Sequence, residues 1–176
     1  MSVLEEPSTP DEATVDELTS AAFETFFRRE YPAMVALAAA VSRTPHTAED
    51  LAQEAMLRAR RHWDRIGAFD KPGTWVRRVT INLSVDSRRG VVREAKARLA
   101  WWEGREPTEQ PQALDPDLLV ALHALSPQQR AAVSLHYLED RSTSEIADLL
   151  GCSESTARVH LHRGRQALAQ HLGATR

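Results

Sequence analysis

Three prolines, Pro107, Pro111 and Pro116, stand among Glu103, Glu106, Glu109 and Asp115, with few apolar side chains to anchor them. A stretch of that kind has neither the amide donors for regular structure nor the surface to bury, so it reads as a linker. It divides the chain into two lobes. The expected boundaries are a tail over 1–18, a first lobe over 19–101, a linker over 102–116 and a second lobe over 117–176.

Both lobes read as all-α. Apolar residues make up 42% of the chain but aromatics only 6%, and the apolar stretches favour Ala, Leu and Val, which form helices more readily than sheets. Phe23, Phe26, Phe27, Met34, Leu37 and Val41 recur near helical spacing, with Pro32 expected to kink or restart that helix. Ala48, Leu51, Ala52, Ala55, Met56, Ala59 and Trp63 follow the i, i+3, i+4, i+7 rule, which predicts a helix over 48–63 with one buried face. Gly67, Pro72 and Gly73 break the pattern, and helix is expected to resume at about Thr74 and run to about Leu99. The longest apolar run, Ala33 to Val41, is too short to cross a membrane, no secretion signal opens the sequence, and a single cysteine, Cys152, cannot form an internal disulfide. A cytoplasmic protein is expected.

The formal net charge of −3 hides an uneven distribution. Residues 1–20 hold Glu5, Glu6, Asp11, Glu12, Asp16 and Glu17 with no Lys or Arg, which predicts a disordered acidic tail. Residues 58–98 hold twelve cations against Asp64, Asp70, Asp86 and Glu94. Such a block can attract a polyanion whatever the net sign.

The second lobe carries a sharper local signal. Ser126-Pro127-Gln128-Gln129 and Ser142-Thr143-Ser144-Glu145 are capping boxes, each with a hydroxyl at the cap and a Gln or Glu three residues on. Gly151 suits a left-handed helix terminus, and Ser153 can cap the next helix. Ala157, Leu161 and Leu168 would face inward there, leaving Glu154, Ser155, Arg158, Val159, His160, Arg163 and Arg165 outward. Two short helices joined in this way form a helix-turn-helix, whose second helix fits the DNA major groove.

Two further stretches are more specific. His46 to Trp63 resembles region 2.2 of the sigma-70 family of bacterial RNA polymerase sigma factors. Pro72 to Arg89 resembles regions 2.3 to 2.4, and Leu125 to Arg130 with the helix-turn-helix resembles region 4. The order and spacing resemble the extracytoplasmic function (ECF) subgroup, which keeps only regions 2 and 4. Val159 and His160 stand where Ser and Arg are frequent in that family.

The resemblance implies a promoter-recognition factor without catalytic residue, metal or cofactor, with core RNA polymerase and promoter DNA as partners. An anti-sigma factor often holds members of this subgroup inactive. Asp50, Gln53, Glu54 and Leu57, opposite the buried face of the 48–63 helix, are the expected contact to the β′ clamp helices, and region 4 is expected near the β flap. Arg65, Phe69, Lys71, Trp75, Arg77, Arg78, Asn82, Arg88 and Arg89 are the expected −10 set: an aromatic among cations and an amide can stack an unpaired base while holding its phosphate. Trp75 has a second reading, as core. Ser153, Glu154, Ser155, Thr156, Arg158, His160, Arg163 and Arg165 are the expected −35 set. Trp101 and Trp102 have no assigned role beyond expected packing onto region 2. The competing class is a helix-turn-helix regulator that binds operators alone, which leaves the Asp50 face unexplained.

Overall fold

The computed structural model describes the backbone of residues 12–42, 48–86 and 114–173. Eight helices and no strand occur among them. The first four are α1 (Glu12–Val41), α2 (Ala48–Arg61), α3 (Trp63–Ile66) and α4 (Pro72–Asp86). The second four are α5 (Pro116–His123), α6 (Pro127–Glu139), α7 (Thr143–Leu150) and α8 (Glu154–Gly173).

Several boundaries differ from expectation. Helix α1 begins at Glu12, so residues 12–18 of the expected acidic tail are helical, while residues 1–11 lie outside the described residues. Pro32 does not restart α1, which is continuous through it. The one bond proline removes is that to the carbonyl of Arg28, and Arg28 is exposed to water. The 48–63 helix breaks at His62, placing Trp63 at the start of α3. Helix α4 opens on Pro72, whose missing amide hydrogen costs nothing at a first helical position. Its expected continuation to Leu99, with Arg88, Arg89, Trp101, Trp102 and all of the linker before Leu114, lies outside the described residues.

Helices α1 to α4 enclose one core, in which Phe23, Phe26, Met34, Leu51, Met56, Trp63, Ile66 and Val76 are buried. Trp63 anchors it, meeting Phe23 edge-on at 5.2 Å and Phe26 at 4.8 Å between ring centroids. Helices α5 to α8 enclose a second core around Leu122, Leu125, Leu135, Ile146, Leu149 and Leu161. Gly164 lets α8 approach α6 closely: a Cβ there would stand 2.6 Å from Val133 Cγ2 and 3.2 Å from the Gln129 carbonyl.

The two lobes are not held apart. Leu37, Ala40 and Val41 of α1, with Ile81 of α4, belong to the core of the second lobe. Helix α1 packs on α5 and α6, and α4 packs on α7. The cause is visible along α1. At 100° per residue, Met34, Val35 and Ala38 point to the first core, while Leu37, Ala40 and Val41 occupy the adjoining sector and point to the second. That apolar arc exceeds half the helix circumference, and a helix apolar on two sides must be covered on two sides. Burying Leu37, Val41 and Ile81 contributes roughly 1.5–3 kcal/mol each. The two expected helical lobes are present, and they also touch one another directly.

Candidate nucleic-acid and polymerase interfaces

Local rules place the helix-turn-helix. Ser142 caps α7, its Oγ accepting from the Glu145 amide at 3.2 Å while the Glu145 carboxylate accepts from the Ser142 amide at 3.0 Å. Hydrogen bonds donated to this carboxylate by the Ser142 amide and then the Ser142 hydroxyl, with that from Arg141, hold the Glu145 pKa at about 2. Gly151 ends α7 in the left-handed region at φ 65°, and the Thr156 amide donates to Ser153 Oγ at 3.2 Å to start α8. Ala157, Leu161, Gly164 and Leu168 are buried. Ser153, Glu154, Ser155, Thr156, Arg158, Arg163 and Arg165 are exposed, and His160 is half-exposed. All of the expected −35 set therefore reaches solvent along one capped helix. Arg158 donates to Glu154 at 2.8 Å, an exposed pair that holds the guanidinium only loosely.

The expected −10 set divides. Arg65, Lys71, Arg78 and Asn82 are exposed, and Phe69 is 41% exposed. Trp75 is half-buried: it packs against the first core and also lines a cleft of about 430 Å³. Both readings of Trp75 thus describe part of its environment. Phe69, Lys71 and Arg78 line the same cleft, whose opposite wall is Arg141, Glu145, Asp148 and Leu149 from the second lobe.

Arg77 is a correction. It is 8% exposed and cannot reach a nucleic acid in this arrangement. Its Nη1 donates to Glu30 at 2.7 Å, and its Nε donates to Glu139 of α6. Burial alone would lower the Arg77 pKa, but Glu139 and then Glu30 outweigh it and hold the group above its ordinary value. For Glu30, burial raises and the hydrogen bonds and charges of Arg77 and Arg29 lower; the result lies below the usual carboxylate range. Gly73 makes room for this cluster, since a Cβ there would stand 2.5 Å from Arg77 Nη1 and 3.0 Å from Glu30 Oε2. Sequence reasoning missed Glu30, Glu139 and Arg141, because nothing local relates them to α4.

The outer face of α2 also needs a correction. Glu54 is 8% exposed, not solvent-facing, and its Oε1 accepts from Arg58 Nε at 2.9 Å. Beside it, Gln53 Nε2 donates to the Tyr31 hydroxyl of α1 at 3.3 Å. Asp50, Gln53 and Leu57 remain half-exposed.

Among the described residues no group of three or more His, Cys, Asp or Glu could hold a metal ion, and no helix is long and apolar enough to cross a membrane.

Comparison with known proteins gives this geometry a family. The sigma-70 region 2 model matches residues 26–94, and the sigma-70 region 4 model matches residues 117–168. The ECF RNA polymerase sigma factor SigE of Mycolicibacterium smegmatis is 35% identical over 174 residues, a match covering 92% of this chain and 65% of that relative. The RNA polymerase sigma-E factor of Streptomyces coelicolor is 32% identical, with 86% of each chain covered. The ECF RNA polymerase sigma factor SigL of Mycobacterium tuberculosis is 36% identical over 138 residues, covering 73% of this chain and 78% of SigL. Among solved structures, the sigma factor RpoE of Bartonella quintana, in complex with the anti-sigma factor NepR, matches with a TM-score of 0.65 at 26% identity. That match covers 88% of this chain and 98% of RpoE. With region 2 on α1 to α4 and region 4 on α5 to α8, the chain belongs to the ECF group of the sigma-70 family of RNA polymerase sigma factors.

Proposed function

We propose that this chain joins core RNA polymerase and directs it to a promoter, with α8 reading the −35 element and α4 with its preceding loop opening the −10 element. The observation that carries the reading is α8, where Arg158, Arg163 and Arg165 stand outward while Ala157, Leu161 and Leu168 bury. A major groove accepts such a helix, and arginine can bond guanine edges bidentately. Phe69, Trp75, Arg78, Asn82 and Lys71 supply the stack-and-hold chemistry for an unpaired base. Its extraction costs a few kcal/mol, which an aromatic stack of about 1–3 kcal/mol and charged contacts offset. Asp50, Gln53 and Leu57 are the polymerase contact on α2; Glu54 acts there only by fixing Arg58. The β′ clamp helices and the β flap are the polymerase surfaces, and an anti-sigma protein is a further partner, in line with the RpoE complex. The chain then works beside the polymerase, in the cytoplasm, without catalysing a reaction.

The decisive test is reconstitution. The purified chain should co-elute with core enzyme and support run-off transcription from its own promoter. A tight complex with duplex DNA and no affinity for core would instead identify a regulator that acts alone. Asp50→Arg should weaken core binding about tenfold or more with the melting temperature unchanged.

A further inference from the structure

One apolar side chain on the outer face of α8 serves neither the core nor a phosphate. Val159 is 45% exposed. Singly exposed apolar residues are ordinary on a protein surface, so its place on the helix is what matters. At about 100° per residue, Val159 lies directly opposite the buried stripe of Ala157, Leu161, Gly164 and Leu168. Ser155 and Gln166 share that outermost ridge, and the exposed cations Arg158 and Arg163 flank it, one on either side. A recognition helix enters the major groove with its buried stripe turned back to the protein and its N-terminal turns towards the base edges. Val159, on the second turn and opposite the stripe, then reaches deepest.

Stability gives no reason for valine at this position. It is among the weaker helix formers, and standing in water it buries little. In a groove its chemistry is selective. Its two methyl groups are held near a single rotamer by the helix, and they neither donate nor accept a hydrogen bond. Among the groups that base pairs present in the major groove, the thymine C5-methyl is the apolar one. The rest are donors and acceptors, which valine would bury unpaired at a cost.

We propose that Val159 is a specificity-determining residue that reads the C5-methyl group of a thymine in the −35 element. The inference rests on the reading of α8 given under Proposed function and adds to it a class of base, a 5-methylpyrimidine. Arg158 and Arg163 supply the charge that seats the helix; Val159 rejects polar edges at the position it meets.

The test uses the full chain, alone and with core polymerase, to select duplexes from a pool with a randomised central segment. Binding of the enriched duplex is followed by fluorescence anisotropy. Each thymine is then replaced in turn by deoxyuridine, which lacks only the methyl and keeps every hydrogen-bonding group. At one thymine the parent should lose about three- to fivefold in affinity, the equivalent of one buried methyl. Val159→Ala should bind the thymine and deoxyuridine duplexes equally, whereas Arg163→Ala should weaken both and keep the difference between them. Should circular dichroism find Val159→Ala unfolded, Val159→Thr, which keeps the shape and exchanges one methyl for a hydroxyl, should show the difference reduced. A parent indifferent to deoxyuridine at every thymine, or an enriched sequence without thymine, overturns the assignment. So does a methyl dependence that persists undiminished in the folded Val159 variants. Failure to enrich any sequence, or an enriched duplex whose binding survives Arg158→Ala with Arg163→Ala, overturns the reading of α8 itself; arginine dependence without methyl dependence overturns the role of Val159 alone.

Discussion

Arg77 and Arg158 are the same residue type, each on the second turn of its helix, yet their surroundings are opposite. Arg77 is enclosed by carboxylates from two lobes, whereas Arg158 leans on one exposed carboxylate of its own helix. Enclosure turns a guanidinium into a structural tie, since removing it leaves buried carboxylates without their partner. Exposure leaves it available for a phosphate or a guanine edge. The two lobes therefore divide by accessibility: the cations of α8 are open, and α4 is partly engaged by its neighbour.

Arg77→Ala should give the largest effect. Deleting one partner of a buried ion pair costs about 3–5 kcal/mol when the other stays buried. Here lobe opening limits the loss, because Glu139 can reach water that way. A thermal melt should accordingly show a single transition resolving into two; a melt that stays single and unshifted would erase the contrast with Arg158. Arg158→Ala with Arg163→Ala should leave the melting temperature within about a degree, as exposed pairs contribute little. The same double variant should weaken −35 duplex binding by about 1–3 kcal/mol for each arginine that bonds a base edge. Unchanged footprinting would remove α8 as the reader.

Gly164→Val sharpens the comparison within the second lobe. The added side chain must displace Val133 and approach the Gln129 carbonyl, so overpacking should cost about 1–3 kcal/mol. Urea unfolding should find the second lobe weakened, with the first lobe's midpoint kept if the lobes open independently.

Ser142→Ala is a smaller change, about 1 kcal/mol for loss of a helix cap. It is linked to pH through Glu145. The folded pKa of about 2 lies below the ordinary 4.5, so the carboxylate's stabilisation is fully present above 4.5. It is lost as pH falls from there towards 2. Glu30, shifted in the same direction, adds acid sensitivity in the first lobe. In Ser142→Ala the Glu145-dependent part of the acid transition should shrink; an identical acid profile in the parent and the variant would count against the cap as its source.

Much of this architecture could be read along the chain. Both capping boxes, the left-handed Gly151 and the inward series Ala157, Leu161 and Leu168 stand as expected. Each depends on residues no more than one or two turns apart. Trp63 and the apolar stripe of α2 are buried for the same reason, although the helix breaks at His62. Glu54 misled because a helical pattern shows which residues share a face, not what packs against that face. The apolar run at Ala33 to Val41 did hold a clue to the lobe contact, since no polar face interrupts it; its length excluded a membrane span, but nothing local named the second surface it covers.

The all-α class, the order of regions and the helix-turn-helix follow from the residue order alone, because capping, periodicity and left-handed turns are set by near neighbours. That Arg77 is a tie while Arg78 and Arg158 stay at the surface, and that the two lobes pack on each other, depends on long-range packing. The reason is that a side chain's solvation and charge partners depend on what stands opposite it. Opposite Arg77 stands Glu139, sixty-two residues further along the chain.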